Sequence, residues 1–319
     1  MSTVIVTGCA GFIGSHLCDR LLASGHEVIG LDAMTGNYPR WMKRRNLGSA
    51  AGHPKFHFME VNLCADQLEE LVRGADVVFH LAALPGVRSS WGPSFADYLG
   101  SNVLATQRLL EAVKSLDAAR RPTVVYASSS SVYGDMEGPL AEDAPTYPRS
   151  PYGVSKLAAE QLCRVYASEF GIQAVSLRYF TVFGPRQRPD MAVHRFIRAA
   201  LCGQPVTVYG DGEQTRDFTY VGDVVDANLA AAESGRAGDV FNIGGGNRAS
   251  VNDLLTTIEA VCCVTLQRQI WPAQPGDVQR TYADVEQAAE RLAFRPRVGL
   301  AEGVERQVAD MRRLYGRQS

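Results

Sequence analysis

Tyr152 and Lys156 stand four residues apart in the stretch SPYGVSK. On a helix that spacing places both side chains on one face. A free tyrosine ionises near ~10 and is a poor base at neutral pH. An ammonium beside it favours the phenolate and lowers that value. The pair is therefore a candidate base for an alcohol proton, provided that something accepts the departing hydride. In isolation the pattern reads as an ordinary surface pair, but its neighbours in the chain argue otherwise. A run of four serines, Ser128–Ser131 in ASSSSVYGD, closes an apolar stretch upstream, and a glycine pattern opens the chain. Serines after a strand are turn formers by default, so their role depends on what stands beside them.

The opening VIVTGCAGFIGSHL sets Gly8, Gly11 and Gly14 between a first strand and a first helix. Gly8 permits a tight turn, Gly11 lets backbone approach a pyrophosphate, and Gly14 lets helix and strand pack closely. The helix N-terminus offers unpaired N–H groups and a positive dipole end to phosphates. A second strand ends in Asp32, whose carboxylate can accept hydrogen bonds from an adenosine ribose and would repel a 2′-phosphate. NAD is thus expected rather than NADP, and its positively charged nicotinamide would further favour a Tyr152 phenolate. The basic cluster PRWMKRRN (Pro39–Asn46) carries Arg40, Lys43, Arg44 and Arg45; short and isolated, it reads as a solvated loop or helix face.

These residues need a scaffold. Val4–Thr7, Val28–Asp32, Phe56–Val61, Val77–Leu81, Val124–Ala127 and Ala174–Leu177 read as strands, with helical periodicity in Phe12–Ala23, Leu68–Arg73, Ala96–Val113 and Tyr152–Phe170. That alternation implies an α/β fold with a doubly wound parallel sheet covered on both faces. After about Tyr179, glycine and proline become frequent and the pattern turns irregular. We expect a Rossmann domain over residues 1–180, with a segment near 221–243 returning to it, and a smaller mixed α/β substrate domain over 181–319. The 319 residues and 46% apolar content suffice for a sizeable core. A net charge of −2 argues against a general nucleic-acid or membrane-surface binder. The start MSTVIVTG lacks a basic region before a long apolar core, so no signal peptide is expected. No apolar run approaches the roughly 20 residues of a membrane span. Seven cysteines without CxxC spacing read as buried thiols in a reducing cytoplasm, not as a metal site.

Taken in order, the glycine motif, HLAA (His80–Ala83), SSSSVYG and YGVSK resemble the extended short-chain dehydrogenase/reductases that modify nucleotide sugars. The resemblance continues through RYFTVFGPRQRPDM (Arg178–Met191), VYGDGEQTRDFTYVGDVVDA (Val208–Ala227), FNIGGG (Phe241–Gly246) and PGDV (Pro275–Val278), nearly the whole chain. It implies that Ser129 is the catalytic hydroxyl, relaying a sugar proton with Tyr152, while Lys156 holds the nicotinamide ribose. It implies further cofactor contacts from Phe12, Ile13, Leu63, Leu81, Ala82, Ala83 and Tyr179. Asn62 stands where the family usually has an adenine-contacting Asp; an amide can still donate and accept. His80 reads as a structural strand-end residue.

Resemblance also bears on the reaction. The family contains 4-epimerases, 4,6-dehydratases, decarboxylases and reductases. Dehydratases carry an Asp and a Glu directly after the catalytic hydroxyl residue, whereas Ser130 and Ser131 follow here, so elimination of water is not expected. Thr181 replaces the Asn usual in simple hexose epimerases, and TVFGPRQRPDM and LPGVRSSW look most like the UDP-glucuronate 4-epimerase branch. By that likeness Ser130, Ser131 and Thr181 would line a sugar carboxylate. Arg88 is a further candidate for that carboxylate, with a diphosphate contact or a structural role as alternatives; Arg188 and Arg216 are candidates for the diphosphate, with Arg186 as a weaker one. Asp277 matches a position near the ribose, and Thr207 with Tyr209 the base-stacking position. Gln274 stands where many hexose epimerases have an Arg. The expected reaction is C4 inversion of a UDP-sugar, with a UDP-glucuronate decarboxylase or UDP-hexose 4-epimerase as alternatives. A non-catalytic NAD sensor is a reading of another class, against which Ser129, Tyr152 and Lys156 weigh. A homodimer is expected by resemblance, packed through Ala96–Val113 and Tyr152–Phe170.

Overall fold

The structure is a computed structural model that describes residues 1–136, 138–274, 276 and 278–315. Its main sheet contains β1 (Thr3–Thr7), β2 (Glu27–Asp32), β3 (Phe56–Glu60), β4 (Val77–His80), β5 (Thr123–Ser129) and β6 (Ala174–Tyr179). Two short strands, β7 (Thr181–Phe183) and β8 (Val206–Tyr209), and then β9 (Thr215–Tyr220) follow outside it, before β10 (Val240–Ile243) returns to pair in parallel with β6. The seven-stranded order is β10-β6-β5-β4-β1-β2-β3, with every pairing parallel. The order reverses between β1 and β4. The crevice at the carboxyl ends of those two strands is the expected ligand site of such a sheet.

Alternation along β1 shows why both faces are covered. Val4 and Val6 enter one apolar core with the helices Phe12–Ala23 and Val221–Ser234, while Ile5 enters the opposite core with Ala105–Lys114 and Pro151–Phe170. A strand buried on both sides reads as a continuous apolar run for this reason. The edge strand β3 is different: after Phe56 its residues are exposed.

Beyond β6, β7 and β9 form a three-stranded sheet with β11 (Asn247–Ser250), and β8 pairs in parallel with β12 (Arg268–Trp271). Helices Ala192–Cys202, Val251–Cys262 and Leu300–Tyr315 pack around these strands. The first core cluster runs on through Phe196, Leu254 and Val304, so the two regions share buried apolar surface.

Two helices differ in how they meet expectation. Pro151–Phe170 starts on a Ser150 N-cap, whose hydroxyl accepts the Gly153 N–H at 3.1 Å, with Pro151 in the first turn, and ends on Gly171 at φ +66°. Each of these is a local signal in the sequence. By contrast the expected helix Ala96–Val113 is not continuous. A short helix at Phe95–Tyr98 leads into a π-helical stretch, Leu99–Leu104, and then into Ala105–Lys114. The widened turn carries the buried Asn102, whose amide bonds both polar groups of the Leu84 backbone, at 2.7 and 3.0 Å. Such bulges occur where one side chain must leave the regular helical pattern.

Candidate active site

Close packing builds the nucleotide end. Gly8 adopts φ +69°, and its N–H donates to the Leu31 carbonyl at 2.7 Å. A Cβ on Gly8 would lie 2.9 Å from the Ala82 nitrogen, and one on Gly14 only 2.3 Å from the Gly8 oxygen. Only glycine fits this turn. The helix that starts at Phe12 has Gly11 as its N-cap and no side-chain cap, so its first N–H groups point at the crevice. Gly8, Gly11, Phe12, Ile13, Gly14, Asp32, Asn62, Leu63, Leu81, Ala82, Ala83, Tyr152, Lys156 and Tyr179 all line this one cleft.

Asp32 is buried and already engaged. It accepts the Ala10 N–H at 3.2 Å and the Met34 N–H at 2.7 Å, and the Lys43 ammonium lies 3.4 Å away. A carboxylate has about four acceptor positions, so capacity for a ribose hydroxyl remains. The buried Lys43 also bonds Thr35 at 3.1 Å. The basic cluster is therefore not one solvated face: Lys43 lines the cleft, Arg40 pairs with exposed Glu60, and Arg45 with Asp310. Asn62 accepts the Cys64 N–H at 3.0 Å, which leaves its amide NH₂ as the end able to meet a base.

The carboxyl end of β5 brings the serines to the sheet's rim. Ser129 caps the following turn by accepting the Ser131 N–H at 3.2 Å, and its hydroxyl acts on the Tyr152 phenol by favouring the ionised form. Tyr152 is further held by the Ser90 hydroxyl, which accepts its backbone N–H at 3.1 Å, and by an edge-on contact with the Tyr98 ring at 6.2 Å. Burial raises the Tyr152 pKa; the Ser129 hydroxyl and the Arg188 charge oppose that rise. This corrects the expectation that Lys156 would hold the phenol low. The Lys156 ammonium lies 4.5 Å from the centroid of the Tyr126 ring, and burial pulls its own pKa down to about 7. In the folded chain desolvation outweighs the neighbouring charge at both groups.

His80 is structural. The Ala82 N–H donates to the Thr7 hydroxyl at 3.0 Å, and Thr106 donates its own proton to the Asn102 carbonyl at 2.6 Å. The pairing that leaves no group orphaned then puts the His80 proton on Nε2, donated to Thr106 at 3.0 Å, with Nδ1 accepting from Thr7 at 2.9 Å. Burial, aided by the Lys156 charge, lowers the His80 pKa to about 3. From Asn102 the chain of bonds passes to Ser155 at 2.9 Å and on to the Tyr152 carbonyl at 2.8 Å. The sequence reading missed Asn102, because nothing local marks a polar residue in a helical run as inward-facing.

A second cleft adjoins the first and shares Phe12, Ile13, Pro85, Ser128, Tyr152, Tyr179 and Arg188 with it. Ser129, Ser130, Ser131, Thr181 and Arg216 line this cleft, as do Arg149 and Thr281, which the sequence reading did not single out. The Thr281 hydroxyl is buried without a hydrogen-bond partner. Arg188 is held by Asp190 through two bonds, at 3.0 and 2.8 Å. Arg88 follows Val87 of the second cleft and stacks on Tyr209, the guanidinium 4.1 Å from the ring centroid, and Thr207 lies two residues before Tyr209 on β8. Arg186 turns elsewhere: at φ +62° it pairs with Asp19 at 2.7 Å, and its backbone N–H donates to Asp310. Gln274 bonds the Pro272 carbonyl at 3.1 Å. Asp277 lies outside the described residues. No cluster able to hold a metal ion occurs among the described residues, and no helix there is long and apolar enough to cross a membrane.

The model of the NAD dependent epimerase/dehydratase family matches residues 4–244. A Bacillus subtilis (strain 168) protein described as an uncharacterized UDP-glucose epimerase, YtcB, is 44% identical over 98% of both chains. A UDP-glucose 4-epimerase of Mycolicibacterium smegmatis is 37% identical over 95% of this chain and 96% of its own. Among solved structures, the UDP-glucuronic acid 4-epimerase of Bacillus cereus in complex with UDP-glucuronic acid and NAD superposes with a TM-score of 0.95. It is 43% identical, over 98% of this chain and all of that one.

Proposed function

The chain belongs to the NAD dependent epimerase/dehydratase family, and from that premise we propose that it is a UDP-sugar 4-epimerase that interconverts UDP-glucuronate and UDP-galacturonate. One observation carries the reading. Tyr152 stands where the nucleotide cleft meets the second cleft, with Ser129 beside it in the second, and the neutral residues Ser130, Ser131 and Thr181 line the same wall. The likeness to the Bacillus cereus enzyme supports the uronate.

NAD, when bound, accepts a hydride from the sugar ring and gives it back. The glycine turn and the uncapped helix start would take its diphosphate, and Asp32 its adenosine ribose. Tyr152 takes the C4 hydroxyl proton at Oη, with Ser129 bonding the same sugar oxygen and holding the phenol in place. Arg188 sits between the clefts and opposes the burial that would keep Tyr152 protonated. Arg216 on the second wall meets phosphate oxygens through paired donors; Arg88, stacked on Tyr209, would meet the nucleotide end together with Thr207.

Removing two hydrogens at C4 of a uronate leaves a β-keto acid, which loses carbon dioxide when the carboxylate bond aligns with the carbonyl π system. Neutral donors on a fixed wall can hold the carboxylate out of that alignment without adding charge. The ring then turns over, and the hydride returns to its opposite face. We assign residues 1–180 with 221–243 to the dinucleotide and 181–319 to the sugar nucleotide. We also propose a homodimer packed through the helical segments Phe95–Lys114 and Pro151–Phe170, which expose Leu99, Leu104, Val154 and Val165. The seven free cysteines fit a reducing, cytoplasmic setting.

The names of the two curated relatives favour a second reading, a UDP-hexose 4-epimerase. Incubation with UDP-glucuronate, UDP-glucose and UDP-N-acetylglucosamine separates the readings by product mass and C4 stereochemistry. Unchanged mass with inverted C4 on UDP-glucuronate is the expected result. Inversion of UDP-glucose alone would replace the uronate reading. Loss of carbon dioxide would make the enzyme a decarboxylase, and NAD binding without turnover of any of the three would revive the sensor.

A further inference from the structure

Glu160 lies one helical turn after Lys156 and is completely buried. Its carboxylate takes three charge-assisted hydrogen bonds from two different strands. From β6, Arg178 donates Nε to Oε2 at 3.0 Å and Nη2 to Oε1 at 2.7 Å; from β5, the Ser128 hydroxyl donates to Oε2 at 2.6 Å. Arg178 is itself fixed from behind, its Nη1 donating to the Tyr133 hydroxyl at 2.6 Å and to the Glu142 carbonyl at 2.9 Å. Tyr133 passes its own proton to Asn242 on β10 at 2.7 Å.

Each of the three elements that meet at Glu160 carries a site residue beside its anchor. Ser128 precedes Ser129, Arg178 precedes Tyr179, and Glu160 follows Lys156 by one turn; Ser129, Tyr179 and Lys156 all line the clefts. A buried ion pair is weak evidence for stability, since well-packed apolar residues of similar volume often serve as well or better. What the pair adds is direction: a carboxylate gripped by a guanidinium fork and a hydroxyl allows little slip between helix and strands.

We propose that Glu160 is a positioning residue, which, through Ser128 and Arg178, locks the end of β5 against the helix that carries Tyr152 and Lys156. This rests on the roles assigned above to Ser129, Tyr152 and Lys156. Two full-length variants test it in NAD-loaded protein, Glu160→Gln and Ser128→Ala. Three quantities are measured: kcat and KM on the UDP-sugar that the wild type turns over, the melting temperature, and amide hydrogen exchange resolved by peptide. Ser128→Ala leaves the ion pair whole, so it decides the matter if Glu160→Gln does not fold.

The expected result is a fall in kcat of about ten- to a hundredfold with KM little changed, because misplacement of the order of 1 Å can cost that much. Faster exchange should be confined to the segment around Ser128–Val132. Wild-type kcat in both variants would overturn the proposal. So would loss of activity that only tracks a lowered melting temperature and faster exchange throughout the sheet. If the wild type turns over no UDP-sugar, the exchange pattern still decides whether Glu160 holds the strand end, and the failure belongs to the assigned function.

Discussion

At the scale of single residues, the site works by pitting burial against a few directed contacts. Tyr152 is pushed up by desolvation, and Ser129 and Arg188 oppose that push. Tyr152→Phe keeps the ring and removes the proton acceptor. It should lower kcat by roughly 10²–10⁴-fold, the usual range for a general base, while NAD content, read by absorbance after denaturation, stays at the wild-type level. The carboxylate wall gives a sharper test. Thr181→Val and Ser130→Ala should divert part of the product from the epimer to a pentose nucleotide, read as loss of carbon dioxide by mass. Unchanged partition in both would remove these hydroxyls from that role. Gly8, Gly14, Asp32, Tyr152 and Lys156 were legible because each belongs to a local pattern whose geometry one element dictates. Arg186 was not. Its left-handed backbone and its pairing with Asp19 place it on the helix Phe12–Ala23, far along the chain, and no spacing reports that.

Between elements, polar chains do the tying. His80 joins β1 through Thr7 to the start of Ala105–Lys114 through Thr106. Its folded-state pKa of about 3 lies below the unfolded value of 6.5, so between those limits the unfolded chain binds the extra proton. Its stabilising contribution is therefore full above pH 6.5 and is lost as pH falls toward 3. Between pH 7 and pH 5 this group alone should remove about 2 kcal/mol. Urea unfolding at both pH values would show it: His80→Gln should lose less stability over that interval than the wild type. An equal loss would mean that other groups carry the acid sensitivity. Strand and helix alternation was readable in this part of the chain, and the Ser150 cap and the Gly171 stop bracket the helix read there. The π-helical turn at Leu99–Leu104 was not, since it answers to Leu84 and Ser155 rather than to its own sequence neighbours.

For the whole molecule, the proposed dimer packing would cover the exposed Leu99, Leu104, Val154 and Val165. Leu104→Glu puts a charge there and should shift the particle to a monomer in sedimentation experiments, with the fold kept by circular dichroism. A wild type that sediments as a monomer would end the dimer proposal. The sequence by itself determined the class of fold and the chemistry of the cofactor turn. Periodicity and glycine spacing act within one strand–turn–helix unit, and no other part of the chain is needed to read them. Only the tertiary structure decided which distant groups meet: Arg88 on Tyr209, Lys43 beside Asp32, and Ser128, Glu160 and Arg178 at one point. Those meetings depend on how the sheet order folds three elements onto one rim, and on the burial that follows. The same burial reverses the simple expectation for Tyr152 and Lys156, because the cost of desolvating a charge appears only once the fold has closed around it.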